Sequence, residues 1–369
     1  MTMIDNYYCS QKFWWLTVEP ERRSVASCCA ATPEKIDMDW LRSNPGQLFN
    51  TKSLQTEREQ MLANQPVASC EDTCWKAERV GLPSRRTVMK SYQPTHVVAD
   101  PTTLHINLGS DCNLTCSYCT KQYSTAWLRD IEANGPYLPD TRFEINNNDR
   151  IVLKLGQNAI KTSNSYQLIL DEIRNIKTAR QIEITGGEPF LYNGLSELVA
   201  DFTAPVDIFT GLGVDTRRLK RVLDSLPDSV TFTVSAENIG QLYQFNRYGN
   251  TWNRFLQNLE LIRSRFKYKF CTVVSNLTVH GLQQFRAEFG TGHDIINYCN
   301  DPDYLSASVL DPTSKALYND LMPDLSDTLK AEHTVEQKQK LRQYLYRFAD
   351  LRNLDLQNFP AHFINWLNE

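Results

Sequence analysis

The chain has 369 residues, with 39 Lys and Arg against 43 Asp and Glu, a formal net charge of −4. Hydrophobic residues make up 41 % and charged residues 22 %, enough apolar material for a substantial core in one large domain or two smaller ones. That balance excludes intrinsic disorder and argues against a general electrostatic nucleic-acid binder, although a local basic groove stays open. The opening MTMIDNYYCSQKFWWLTVEPERR lacks the basic leader and long apolar run of a signal peptide. No stretch reaches the roughly 18 apolar residues of a membrane-spanning helix, so a cytoplasmic protein with no membrane partner is expected.

In chain order, the first hundred residues show little regular periodicity and read as a small irregular unit rich in cysteine and tryptophan, with one short helix over 54–64 ending before Pro66. Residues 84–100 read as a linker or bridging segment. From Leu104 onward β-rich runs recur at 104–108, 182–185, 206–210, 230–234, 269–274 and 294–298. Helix-forming segments lie between them, near 163–177, 193–202, 215–226, 251–266 and 280–289. Strands alternating with helices imply parallel βαβ units, here six, in a parallel sheet or an open partial barrel. Ligands then gather at the C-terminal ends of the strands. The polar stretch 120–162, with Gly135, Pro136 and Pro139, reads as an elaborated loop, and the tail after 330 as helix with a break at Pro360. The expected domains are 1–100, 101–310 and a C-terminal helical extension over 311–369.

Ten cysteines in 369 residues are too sparse for a small disulfide scaffold, and in a reducing compartment clustered cysteines bind metal or do chemistry. Cys112, Cys116 and Cys119 form a CxxxCxxC run directly after the first core strand. Three thiolates on one loop suit three corners of a four-iron cluster and leave one iron open. Part of a zinc site, or plain thiols, are the other readings of that spacing. Cys9, Cys28, Cys29, Cys70 and Cys74 form a second group, open to an iron–sulfur cluster or a structural zinc. Cys271 and Cys299, in or beside core strands, read as packing residues. The basic run Arg217, Arg218, Lys220 and Arg221 reads as a solvated helix face.

The triplet, with aromatic Tyr118 before its last cysteine, resembles the CxxxCx(aromatic)C motif of the radical S-adenosylmethionine (radical SAM) superfamily. Gly186-Gly187-Glu188-Pro189, after the next strand, resembles that family's GGEP element. The resemblance implies a partial (β/α)6 barrel of radical SAM type. It also implies a 4Fe-4S cluster on Cys112, Cys116 and Cys119, and S-adenosylmethionine bound near Gly186, Gly187, Glu188 and Pro189. Ser235, at the end of the fourth strand, matches a polar position near the ribose, and Arg247 is a candidate partner for the SAM carboxylate. Thr210, Gly211 and Gly213 are candidates for the adenosine, and Asn276 and His280 for SAM or substrate.

The run Cys70, Cys74, Glu78, Gly81, Ser84, Arg85 resembles the auxiliary-cluster segment of "twitch" proteins, shortened relatives of the SPASM type, placed here at the N-terminus. By that resemblance Cys9, Cys28, Cys70 and Cys74 ligate a second 4Fe-4S cluster, with Cys29 the alternative to Cys28. The proline that usually accompanies the aromatic segment is absent at Phe13-Trp14-Trp15. The expectation is a radical SAM enzyme that makes a 5′-deoxyadenosyl radical and abstracts hydrogen from a peptide, small-molecule or nucleotide-derived substrate. Its partner would be a one-electron reductant such as flavodoxin or ferredoxin. The alternative is a non-catalytic, zinc-stabilised binding module.

Overall fold

The computed structural model describes residues 6–79, 84–88 and 100–369. Gly81 and most of the linker expected over 84–100 lie outside the described residues. The strands, in chain order, are β1 (Trp15–Glu19), β2 (Ser24–Ala26), β3 (Glu34–Lys35), β4 (Thr103–Asn107), β5 (Thr115–Cys116), β6 (Gln181–Thr185), β7 (Val206–Thr210), β8 (Thr231–Ser235), β9 (Arg247–Tyr248), β10 (Lys267–Val274) and β11 (Ile295–Tyr298). Helices follow the core strands in alternation, among them Asn164–Arg174, Leu195–Ala200, Thr216–Leu223, Trp252–Arg263 and Val279–Phe289. The α/β class with mostly parallel strands is as expected from the sequence, and the sheet is not a closed barrel. No helix among the described residues is long and apolar enough to cross a membrane.

By its contacts the chain divides into two compact units, each discontinuous in sequence. One unit holds Met1–Gly109, Leu155–Gly186 and Gly194–Ile208, and the other Ser110–Lys154, Gly187–Asn193 and Phe209–Glu369. The reason lies in β1, in the stretch expected to be irregular. It pairs in parallel with β4, placing Leu16 opposite Leu104 and Val18 opposite Ile106, so the N-terminal segment shares a sheet with core strands. β2 and β3 add antiparallel strands to β1, and β4, β6 and β7 continue in parallel.

In this first unit the strand alternation sorts the side chains. Leu16, Val18, Leu104, Ile106, Ile182, Ile184, Val206 and Ile208 are buried and apolar. The alternate positions are polar. His105 lies between Thr17 (3.2 Å) and Thr185 (2.8 Å), and Asn107 donates to Glu19 at 3.3 Å. Burial, and then the charge of Arg85, bring the His105 pKa down to about 4, so this imidazole is neutral at pH 7.

In the second unit β8, β10 and β11 run parallel, and β5 pairs antiparallel with β9. The stretch 120–162 holds helices rather than loop: Thr125–Asn134 in this unit, and Asn147–Lys161, which is broken at Gly156 and ends in residues of the first unit. Trp127 and Ile131 of the first helix, with Tyr137 and Phe143, share a core with Tyr344, Leu345 and Phe348 of helix Val335–Arg352 and Phe363 of the last helix. Tertiary burial of a few well-spaced apolar side chains outweighs the polar composition of the stretch.

The same core claims two expected ligand residues. Asn276 is fully buried and donates to the carbonyls of Tyr304 (2.8 Å) and Val309 (3.3 Å). His280 bonds the Tyr318 hydroxyl at 2.9 Å and packs 4.6 Å from the Phe363 ring. Asn276 thus fastens the 304–309 segment, and His280 packs against the C-terminal helices.

Burial lowers the His280 pKa to about 3, against a smaller opposing effect of Asp311 and a small push in the same direction from His362. A folded-state pKa below the unfolded value of about 6.5 gives stability that is full above that value and falls away as pH drops toward 3. Between pH 7 and pH 4 the loss is about 3 kcal/mol. We expect His280→Phe to remove most of this acid sensitivity, read as the urea midpoint at the two pH values. An equal fall for both proteins would contradict the assignment.

Candidate active site

The cysteine loop is held at its backbone. The Ser124 hydroxyl donates to the Leu114 carbonyl (2.6 Å), the Trp127 indole to the Cys116 carbonyl (2.9 Å), and the Tyr344 hydroxyl to the Ser117 carbonyl. Arg352 bonds Thr115 Oγ1 at 3.2 Å. β5 is zipped to β9, and Ser117 bonds Asn246 through backbone and hydroxyl alike. With backbone carbonyls occupied, three thiols are left for a ligand. Cys116 is buried, while Cys112 and Cys119 are half-buried. Burial, and then Cys116, push the Cys112 thiol well above its ordinary pKa, and the Leu114 N–H, 3.5 Å from Cys112 Sγ, works against them. This donor set fits a four-iron cluster with one iron open.

GGEP lies directly on this loop. The Glu188 N–H donates to the Asp111 carbonyl at 2.7 Å. A Cβ on Gly187 would sit 2.3 Å from that carbonyl oxygen and 2.9 Å from Cys112 Cβ, so the glycine is required by the approach of the two backbones. Gly186 has φ +137, and a Cβ there would sit 2.9 Å from the Gly109 carbonyl. Pro189 opens a 3-10 turn over Pro189–Leu191 that Glu188 caps. Arg218, expected on a solvated face, instead donates to the carbonyls of Phe190 (2.7 Å) and Leu191 (2.9 Å) and fixes that turn. We expect Gly187→Ala to cost about 1–3 kcal/mol of overpacking, taken up by displacement of Cys112. After iron–sulfur reconstitution it should lose iron from this loop, and full iron with full SAM cleavage would contradict the packing account.

Glu188 is buried, and its carboxylate is already oriented. Oε1 accepts from Thr210 Oγ1 (2.8 Å) and the Phe190 N–H (3.3 Å), and Oε2 from the Gly211 N–H (3.0 Å). Burial raises its pKa, against these hydrogen bonds. Thr210 therefore positions Glu188, and Gly211 keeps the space beside it open. A Cβ on Gly211 would lie 3.5 Å from Arg247 Nη1 and 3.7 Å from Glu188 Oε2. Gly213 instead makes room for Leu114.

Arg247 is buried and paired. Its Nε (3.0 Å) and Nη2 (2.5 Å) donate to Glu237, which also accepts from the Tyr118 hydroxyl at 2.7 Å. The guanidinium lies 5.7 Å from the Tyr118 ring centre. Glu237 thus joins Tyr118 of the cysteine motif to Arg247, a link the sequence reading missed. Its signal was its place two residues beyond Ser235, where β8 ends; Ser235 itself is half-buried there, in register with Cys271. Cys271 accepts from Asn297 at 3.0 Å, and Cys299 is buried in the C-terminal core, as packing residues.

The N-terminal cysteines lie in the first unit. Cys9, Cys70 and Cys74 share one buried cluster with Phe13, Met61, Val67 and Trp75. Cys70 ends a 3-10 turn and Cys74 sits in the π-helical turn Glu71–Trp75. Cys28 is buried and close enough to Cys9 and Cys70 to disfavour their ionisation, whereas Cys29 is exposed and lies near Arg85 and Glu183. Three buried thiols in one apolar cluster, with Cys28 in the neighbouring cluster of Ala26 and Ala31, would supply one thiolate per iron of a cubane. The buried Gln11 Nε2 has no hydrogen-bond partner among the described residues, and its Oε1 lies 3.3 Å from Cys28 Sγ. Among the described residues, no three of His, Cys, Asp and Glu converge on a single metal ion.

Residues 106–286 match the family model of the Radical SAM superfamily, which spans both the cysteine loop and GGEP. Residues 106–286 thus carry a radical SAM domain. No curated protein matches it. Among solved structures it is similar to native anSMEcpe with bound AdoMet and Kp18Cys peptide, at 14 % identity over 68 % of this chain and 61 % of that one, TM-score 0.36. It is also similar to SuiB of Streptococcus suis, at 15 % identity over 51 % and 36 %, TM-score 0.32. SuiB bound to S-adenosylmethionine aligns at 13 % identity over 94 % and 70 %, TM-score 0.33. The chain thus spans about three fifths of the length of anSMEcpe.

Proposed function

We propose that this protein cleaves S-adenosylmethionine reductively and abstracts hydrogen from a substrate. The observation that supports the reading is the direct seating of Gly187 and Glu188 on the Asp111–Cys112 backbone, at the three-thiol loop. When bound, a 4Fe-4S cluster with an open iron supplies the electron that splits S-adenosylmethionine into methionine and a 5′-deoxyadenosyl radical.

The protein's part is placement. Cys112, Cys116 and Cys119 hold the cluster. Glu188, fixed by Thr210 and Gly211, accepts from the amino group of S-adenosylmethionine. Gly186 and Pro189 shape the turn, and Tyr118 and Ser235 flank it. Arg247, held by Glu237, presents its remaining Nη1 edge beside Gly211 to the carboxylate.

Cys9, Cys28, Cys70 and Cys74 hold a second 4Fe-4S cluster in a twitch-like N-terminal module, which assists electron transfer or substrate binding. Cys28 is preferred to Cys29 because it is buried with the other three. The reductant is a one-electron donor of flavodoxin or ferredoxin type, and the substrate is a peptide, a small molecule or a nucleotide derivative. Cysteines left free suit a reducing compartment, the cytoplasm. The zinc-stabilised module is disfavoured, since it has no use for GGEP and needs convergent ligands.

The test is the electron paramagnetic resonance (EPR) spectrum of the dithionite-reduced, reconstituted protein with and without S-adenosylmethionine. Binding at an open iron changes the signal. An identical spectrum at saturating S-adenosylmethionine would overturn the proposal.

A further inference from the structure

A buried charged network lies behind the N-terminal cysteines. Lys12 and Gln11, three and two residues after Cys9, are both fully buried. The Lys12 ammonium donates to Glu57 Oε2 at 2.8 Å and to Ser69 Oγ at 2.9 Å. Glu57 also accepts from Ser27 Oγ at 2.5 Å and from Ser69 Oγ. Ser27 precedes Cys28 and Ser69 precedes Cys70, so one ion pair ties together the three chain segments that carry Cys9, Cys28 and Cys70. A buried ion pair is a poor source of stability, because desolvation offsets its attraction. Its position beside four buried thiols calls for another explanation.

The ammonium is close enough to act on Cys9, Cys28 and Cys70, and on Cys70 it outweighs Glu57. The pair therefore offers the sulfurs a positive neighbour. Gln11 adds a second feature. Its amide oxygen is 3.3 Å from Cys28 Sγ, and its Nε2 is a buried donor without a partner among the described residues. Once Cys28 has lost its proton, a half-turn of the amide presents that N–H to the sulfur. A cationic end and a spare N–H donor both favour a group that gains negative charge.

We propose that Gln11 and Lys12 are positioning residues that raise the reduction potential of the group held by Cys9, Cys28, Cys70 and Cys74, making it an electron acceptor. The inference rests on the second-cluster reading above. Reduction adds one electron and one unit of negative charge to a cluster ligated by four thiolates. Net charge, hydrogen bonds to sulfur and exclusion of solvent set its potential. Here all three derive from this chain's own residues.

The experiment is an EPR-monitored redox titration with dithionite as electron donor. It is run on the full-length chain carrying Cys112→Ala, Cys116→Ala and Cys119→Ala, so that one cluster gives the signal. Gln11→Leu removes the N–H donor and leaves the charges intact. Lys12→Met with Glu57→Gln removes the pair without stranding a buried carboxylate. Each variant is expected to lower the midpoint, so that the reduced-to-oxidised ratio at fixed potential falls about tenfold, or 59 mV for one electron. An unchanged midpoint in Gln11→Leu with four irons still bound overturns the inference and leaves the second cluster standing. If the parent protein binds no iron, the second-cluster reading itself fails. Should the Lys12 variant not assemble, Gln11→Leu decides alone.

Discussion

Replacing Cys112, Cys116 and Cys119 together by Ala is expected to abolish S-adenosylmethionine cleavage and to leave about half the iron of a protein loaded as proposed. The loop is fastened through its backbone by Ser124, Trp127, Tyr344 and Arg352, so loss of three thiols removes ligands without removing the loop's supports. Exposure of the chain core should change little, and the protein should stay folded by circular dichroism. Cleavage should fall all or none, because these three thiols lie on the loop that seats Gly187 and Glu188. Retained formation of 5′-deoxyadenosine by the triple variant would sink the assignment of the loop.

The Cys70→Ala, Cys74→Ala variant is expected to show the opposite pattern. It should lose the other half of the iron while part of the cleavage activity survives. Both cysteines lie in the short 3-10 and π-helical turns over Ala68–Trp75, within a small apolar cluster of Cys9, Phe13, Met61, Val67 and Trp75. Such a small cluster is short of apolar surface, so metal ligation is also a source of folding free energy there. The variant should unfold at lower urea than the parent. Unchanged iron content would refute the second site.

Much of this was legible in the sequence, and the reasons are local. β6 and β7 match the runs expected at 182–185 and 206–210 because alternating β-branched residues write their own period. CxxxCxxC and GGEP announce themselves because each ligand or close approach needs one residue type at one spacing. What was hidden depends on distant partners. Trp15–Glu19 is a strand because β4 lies beside it, some ninety residues later in sequence. Thr125–Asn134 is a helix because Trp127 and Ile131 find a core made by residues beyond 335. Asn276 and His280 stand where βα loops often carry ligand residues, yet the C-terminal helices bury them. Arg247 read as an open carboxylate partner, and only the fold reveals Glu237 against it.

The most direct measurement is anaerobic reconstitution of the full chain with iron and sulfide, followed by iron counting and assay of 5′-deoxyadenosine under dithionite in the same sample. About eight irons per chain, at four for each cluster, with 5′-deoxyadenosine formed, is the result this account predicts. Well-folded protein that binds no iron and leaves S-adenosylmethionine intact would contradict it.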